Sequence, residues 1–246
     1  PQTPNPKPRF KPIVNPNIWL NFSAKINNMQ DYGDPEYWEK RYREKPERTF
    51  DWLEDHESLT PLLEKFIRKD HRILMRGCGN AELSERMYNA GYTNIYNMDI
   101  SKIVISQMME RNLDKPEMKW EVMDARELKY EDEFFDCVID KSTLDAILCG
   151  SYSHYNVAKV TNEVSRVLKN GGIYFVITYG RPMTRVFHLQ RPHLDFTISL
   201  FVMRTKSELG DATEHYCYVA TKGSKAKQNS KEYFQQVLDE LMIQQE

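Results

Sequence analysis

The chain has 246 residues, 34 of them basic and 36 acidic, for a formal charge of -2. Its 40% hydrophobic and 12% aromatic content suffices for a sizeable core, whereas no apolar run approaches the roughly 18 residues needed to cross a bilayer. Near-balanced, interspersed charge gives no field for gripping a phosphate backbone, so composition argues against both membrane and nucleic acid as partners. The four cysteines, Cys78, Cys137, Cys149 and Cys217, show neither CxxC spacing nor the compact frame of a secreted domain. A reducing compartment is expected, the cytoplasm by default, with a cytoskeletal or organellar assembly as the alternative. Cys and His do not cluster at ligand spacing, and no metal is expected.

Residues 1–30 differ from the rest of the chain. Pro1, Pro4, Pro6, Pro8, Pro12 and Pro16 fall there, half of the twelve prolines, and the first acid is Asp31. The stretch lacks the continuous apolar segment of a secretory signal, and its prolines oppose a helical presequence. It reads as an extended tail, 1–30, ahead of one domain, 31–246. Two uses stay open: a mildly basic leader, or an arm anchored on a larger protein assembly through Phe10, Ile13, Ile18, Trp19 and Phe22.

From Asp31 on, short apolar runs alternate with helix-period segments, the pattern of strands joined by crossover helices in a parallel sheet. A first strand is predicted over 72–75, opening into Gly77-Cys78-Gly79-Asn80. A helix carrying Leu83 and Met87 then stops at Gly91. Strands two, three and four are expected at 94–98, 118–123 and 135–139, and each ends in an aspartate: Asp99, Asp124 and Asp140. Ser101 is placed to cap a helix bearing Val104, Met108 and Met109. Val157, Val160, Val164 and Val167 mark another helix, and the Gly171-Gly172 turn leads into a fifth strand at 173–178. Two more strands, 196–203 and 215–221, a polar loop at 222–230 and a helix over 231–244 complete the chain.

Ligands of open parallel sheets bind in the crevice beyond the carboxyl ends of the strands. Glycines at 77 and 79 let backbone approach a ligand closely, ahead of a helix N-terminus with unpaired N–H donors. Asp99 lies 22 residues after Gly77, where a carboxylate can accept both hydroxyls of a ribose. A third glycine and a pyrophosphate contact are missing, Ala81 coming directly after Asn80, so the pattern favours a nucleoside without phosphates. The plainer alternative is that the glycines only turn the chain and Asp99 caps a helix.

Several segments carry a family resemblance: Tyr32 to Tyr42 (YGDPEYWEKRY), Phe50-Asp51-Trp52, Gly77 to Ser84 (GCGNAELS) and Asp140 to Ala146 (DKSTLDA). In this order they resemble the class I, seven-strand S-adenosylmethionine-dependent methyltransferases, and among these the eukaryotic lysine methyltransferases of translation elongation factor 1 alpha. The resemblance implies an α/β, Rossmann-like, doubly wound sheet of seven strands, mostly parallel with an antiparallel edge, and helices on both faces. It implies S-adenosyl-L-methionine as cofactor and a protein lysine as acceptor, carried by elongation factor 1 alpha or a similar factor. Gly77 and Gly79 would pass beneath the methionine part, Asp99 and Ile100 would hold ribose and adenine, and Asp124 with Ala125 would meet the adenine edge. Trp38 and Tyr42, at i and i+4 of an early helix, would close over the cofactor, or else form that helix's core stripe. Asp140 and Lys141 would lie beside the transferable methyl, Lys141 pairing with the cofactor carboxylate or with a nearby acid.

Methyl transfer from a sulfonium is a direct displacement, so alignment supplies much of the acceleration. No general base can be named; Asp140 and Asp145 are electrostatic candidates, and His154 and Tyr155 are loop candidates. The Asn/Asp-Pro-Pro-aromatic signature of enzymes acting on planar amines is absent after strand four, which lowers nucleobase methylation further. Two departures stand out: Arg76 where relatives carry an apolar residue, and Ser142 where they carry glycine. Arg76 would pair with Glu82 or the cofactor carboxylate, or would fill the cofactor's space. Ser142 would strain its turn if the backbone there requires positive φ, and the two changes together motivate a different class of function, a non-catalytic methyltransferase-like subunit docked through its tail.

Overall fold

The computed structural model describes residues 32–46, 49–206, 212–224 and 230–243. The tail expected at 1–30 and most of the loop expected at 222–230 lie outside them. Seven strands form one sheet: β1 (Ile73–Arg76), β2 (Ile95–Asp99), β3 (Lys119–Val122), β4 (Phe135–Lys141), β5 (Leu168–Thr178), β6 (Phe196–Lys206) and β7 (Ala212–Lys222). Their order is β3-β2-β1-β4-β5-β7-β6, parallel through β5 and antiparallel for β7 and β6. The expected seven-strand, mostly parallel sheet with an antiparallel edge is therefore what the chain forms. Order reverses between β1 and β4, and the crevice at their carboxyl ends is where such sheets take ligands.

Central strands are buried on both sides, so they read as continuous apolar runs: all four residues of β1 are buried, as are five of the seven in β4. Alternation along each strand then splits the core into two layers. Ile73, Met75, Ile139 and Phe175 face α1 (Pro35–Glu44), α2 (His56–Phe66), α3 (Leu83–Asn89) and α4 (Lys102–Arg111). Leu74, Val138, Tyr174 and Val176 face α5 (Thr143–Leu148), α6 (Ser153–Val167) and α7 (Pro182–Leu189), and α8 (Ser230–Ile243) packs on α6. In α6 the valines at 157, 160, 164 and 167 are fully buried, each stabilising the fold by about 1.5–3 kcal/mol.

Local chemistry sets the boundaries. The Ser101 hydroxyl accepts from the Val104 N–H at 3.2 Å, capping α4 as its sequence predicts. Asp34 and Asp55 cap α1 and α2 through Glu36 N–H and Ser58 N–H at 2.9 and 2.8 Å. β5 begins at Leu168, ahead of the expected start, because the chain stays paired with Phe135 through an irregularity that Gly171 absorbs at φ +77°. Helices α2, α5 and α7 lie outside the sequence expectation. His154 and Tyr155, expected in a loop, lie in the first turn of α6, where His154 stacks edge-on against Phe187 and His188 of α7.

Candidate active site

The loop after β1 holds Gly77 and Gly79 at φ +61° and +53°, the left-handed region where a Cβ is strained. Both are also hemmed in. A Cβ on Gly77 would lie 2.1 Å from the Thr143 hydroxyl, and one on Gly79 would lie 2.9 Å from the Tyr42 hydroxyl. Thr143, at the start of α5, donates to the carbonyls of Arg76 at 3.0 Å and Gly77 at 3.4 Å, so α5 clamps the loop from below. Tyr42 of α1 sits above it.

Asp99, at the carboxyl end of β2, is 7% exposed, and its two oxygens accept from Gly79 N–H and Ser101 N–H, each at 3.0 Å. Burial pushes its pKa up, against the backbone donors that favour the charged form. A carboxylate offers about four acceptor positions, so this one keeps capacity for further donors. Ile100 beside it is half-buried. Glu39 of α1 reaches the same corner, accepting from Ser101 Oγ at 3.1 Å and Lys102 N–H at 2.9 Å, and thereby caps α4 from another helix. No local signal in the sequence marks Glu39, because its partners lie over sixty positions away.

The roof of the crevice is aromatic. Trp38 stacks on Tyr42 at 5.9 Å between centroids and donates its Nε1–H to the Tyr32 carbonyl at 2.7 Å. Arg41 lies 4.8 Å over Phe50 and 5.8 Å from Trp52, joining α1 to the segment ahead of α2. A shallow cleft lined by Arg41, Tyr42, Lys45, Phe50 and Asn80 opens beside the glycine loop. Trp38 and Tyr42 pack on the first core layer, the helix-core reading of the pair, and the Tyr42 hydroxyl also lies over Gly79.

Asp140 and Lys141 are not brought together, since neighbours on a strand point to opposite faces. Asp140 is completely buried in the second core layer, where it pairs with Arg76 and accepts from the Tyr174 hydroxyl at 3.0 Å. Its other oxygen accepts from Thr143 N–H and Leu144 N–H at 3.0 and 3.1 Å, capping α5. With both oxygens held there, Asp140 acts beneath the crevice, not in it as expected from the sequence. Arg76 likewise departs from expectation: Glu82 pairs with Arg86 instead, and Arg76 donates to Tyr174 Oη at 2.7 Å on the far face of the sheet. It takes no space on the crevice side.

Lys141 points to the roofed side, level with Gly77 given the register Arg76↔Asp140. It pairs with the Asp51 carboxylate and donates to the Trp52 carbonyl at 2.8 Å, which is the nearby-acid alternative. Burial pushes its pKa down to about 7. Asp124 accepts from Arg126 through Nε at 3.0 Å and NH2 at 2.6 Å, and burial, which raises its pKa, is outweighed by these contacts. Ala125 beside it is half-buried. Asp145 accepts from Arg185 at 2.7 Å and Tyr179 N–H at 3.2 Å, a structural tie between α5 and α7. Ser142 has φ +65°, and its hydroxyl is buried without a partner.

These residues fit a nucleoside with an amino-acid arm. Asp99 is a desolvated acceptor at the carboxyl end of β2, where a ribose would find it, and the space beside Gly79 would not admit a Cβ. Among known proteins, a methyltransferase-domain family profile matches residues 74–176. The eEF1A lysine and N-terminal methyltransferase of Xenopus laevis is 40% identical over 154 residues, 61% of this chain and 22% of that protein, so the chain spans about a fifth of its length. EEF1A lysine methyltransferase 4 of Mus musculus is 34% identical over 176 residues, 68% of this chain and 69% of the relative. A crystal structure of an S-adenosylmethionine-dependent methyltransferase from Methanosarcina mazei shares the fold at TM-score 0.56 and 19% identity, covering 66% of this chain and 97% of that one. The chain belongs to the class I S-adenosylmethionine-dependent methyltransferases, in the family that includes EEF1A lysine methyltransferase 4.

Proposed function

We propose that the chain transfers a methyl group from S-adenosylmethionine to a lysine side chain of a protein, with elongation factor 1 alpha as the candidate acceptor. The observation that carries this reading is the buried Asp99 carboxylate, fixed by the Gly79 N–H at the switch point of the sheet. The names of the relatives supply the acceptor. S-adenosylmethionine supplies a methyl on a sulfonium when bound; the remaining work falls to the chain. Asp99 would take the ribose hydroxyls, and Gly77 and Gly79 would bring backbone close to the amino-acid arm. Trp38 and Tyr42 would exclude water above the loop, in place of a solvent shell around the reacting centre. Alignment of acceptor and methyl is then the main source of rate.

The alternative of a non-catalytic subunit arose from Arg76 and Ser142; the Arg76 side chain lies on the opposite face of the sheet, which removes one of its two motives, while Ser142, at φ +65°, keeps the other. Docking to a larger assembly through residues 1–30 is a separate proposal, resting on their composition alone. We further place the protein in a reducing compartment, the cytoplasm, on the buried thiols of Cys78, Cys137 and Cys217. The test of function is methyl-labelled cofactor offered to purified elongation factor 1 alpha and, separately, to RNA. Label on a protein lysine is expected; label on RNA alone overturns the reading.

A further inference from the structure

The segment Phe50 to Glu54 runs as a strap across the crevice, and it is tied at both ends. Phe50 N–H donates to Asn80 Oδ1 at 3.2 Å, and Glu54 meets His215 Nδ1 at 2.6 Å in a buried contact. Between them Leu53 is held at φ +66°, a conformation that a β-carbon opposes and that persists only where surroundings impose it. The strap therefore presents Asp51 and Trp52 in one fixed geometry. What it presents them to is an ammonium group: Lys141 Nζ lies on the Asp51 carboxylate and 2.8 Å from the Trp52 carbonyl, beside Gly77. The Lys141 side chain is 6% exposed and that of Asp51 is 28% exposed, so the carboxylate is approachable from outside while the lysine fills the inner position. Phe50 and Tyr32 stand edge-on to Trp52 at 4.6 and 5.7 Å, giving aromatic walls of the kind that accommodate a cation and its alkyl stem.

We propose that the Asp51 carboxylate and Trp52 carbonyl form the receiving site for the acceptor's alkylammonium group, and that Lys141 occupies this site as an internal stand-in which the incoming lysine displaces. The inference rests on the lysine acceptor proposed above. A second ammonium group at this carboxylate meets repulsion from Lys141, which favours departure of the inner one. Burial pushes the Lys141 pKa down while the Asp51 carboxylate beside it favours the charged form, so Lys141 holds its place only as long as that carboxylate is its own. Among the described residues Lys45 and Arg41 also lie near the strap: Lys45 lines the cleft beside Phe50, and the Arg41 guanidinium is engaged over Phe50 and Trp52 and donates to Tyr37 Oη at 3.1 Å.

The test uses the full chain with lysine carbons labelled for NMR, n-butylamine as the probe of a lysine side chain, and Asp51→Asn and Asp51→Glu as variants. In the wild type, n-butylamine is expected to shift the Lys141 Cε resonance saturably, and Asp51→Asn to abolish that response. In methyl transfer, Asp51→Asn should raise the acceptor KM roughly tenfold or more, since a charge-assisted hydrogen bond is lost. Asp51→Glu should recover part of that loss, and cofactor affinity measured by calorimetry should stay within about twofold of wild type, which also certifies the fold. A Lys141 signal indifferent to the amine, or an unchanged KM in Asp51→Asn, would overturn the site. If the amine displaces Lys141 yet no protein lysine is ever methylated, the ammonium site stands and the lysine reading fails.

Discussion

Replacing Arg76 by methionine separates the two roles open to that residue. In the structure its guanidinium has no exposed atoms and meets Asp140 and the Tyr174 hydroxyl inside the second core layer. Methionine retains much of the volume but leaves the Asp140 carboxylate buried with a hydroxyl and two backbone donors, and no countercharge. Removing one partner of a buried pair destabilises by about 3–5 kcal/mol, whereas replacing both with groups of similar shape is often close to neutral. For a domain of this size that single change lowers Tm by roughly 6–20 °C. Asp140→Asn alone should be comparably damaging, because it strands the arginine, whose Nε and NH1 already lack partners. The double variant Arg76→Met, Asp140→Asn should recover most of the loss. Urea unfolding of the four proteins gives the coupling energy directly. Additive single-variant losses would refute the pairing, and cofactor binding that tightens in Arg76→Met would show that the arginine had blocked the crevice.

Ser142→Gly should stabilise the domain by about 1 kcal/mol, because a left-handed backbone is relieved of its Cβ and a buried, unpartnered hydroxyl is removed; an unchanged or lower Tm would count against strain at this turn. Burial, reinforced by Arg191, pushes the pKa of His188 down to about 2 and of His193 to about 4. Their unfolded forms take up protons below about pH 6.5 while the folded forms do not, so stability is complete above that pH and falls on acidification, by about 1.4 kcal/mol per pH unit for each histidine at most. His193→Phe should flatten the Tm profile between pH 6 and 4 (roughly the window bounded by its two pKa values), and an identical profile would contradict it. Thr143→Val removes the donor that spans the Arg76 and Gly77 carbonyls and should weaken cofactor binding several-fold with little change in Tm, measured by calorimetry and thermal melts.

Much of the fold is legible because strands and crossover helices announce themselves locally. The apolar run at Ile73 to Met75, the Ser101 cap and the valine ladder of α6 each carry their own signal within a few residues. Helix α2 is hard to read because Pro61 and a polar first turn mask its pattern, although Asp55 three residues before Ser58 is a legible cap. What stays illegible depends on long-range partners. The partner of Arg76 on β5 is 98 residues away, and Glu39 acts on a helix start 62 residues on. Adjacency suggests one ligand for Asp140 and Lys141, but the strand's own alternation sends them to opposite faces, a correction the sequence itself allows. Asp124 and Arg126, two positions apart at a strand end, are an equally local pair that the sequence reading did not single out.

If the Gly77–Gly79 loop and Asp99 form the nucleoside-cofactor site of a working methyltransferase, calorimetric titration of S-adenosylmethionine into wild type and Asp99→Ala will distinguish the two proteins. Asp99 lies 3.0 Å from the Gly79 N–H and is nearly inaccessible to water, so a ribose bound there exchanges few of its hydrogen bonds for solvent when the carboxylate is lost. About 1.5–3 kcal/mol is at stake for each charged hydrogen bond, which is at least tenfold in affinity for one hydroxyl and over a hundredfold for two. Saturable, one-site binding to the wild type is expected, and none measurable in a folded Asp99→Ala protein. Equal affinity in the two proteins, or no binding to either, would contradict it.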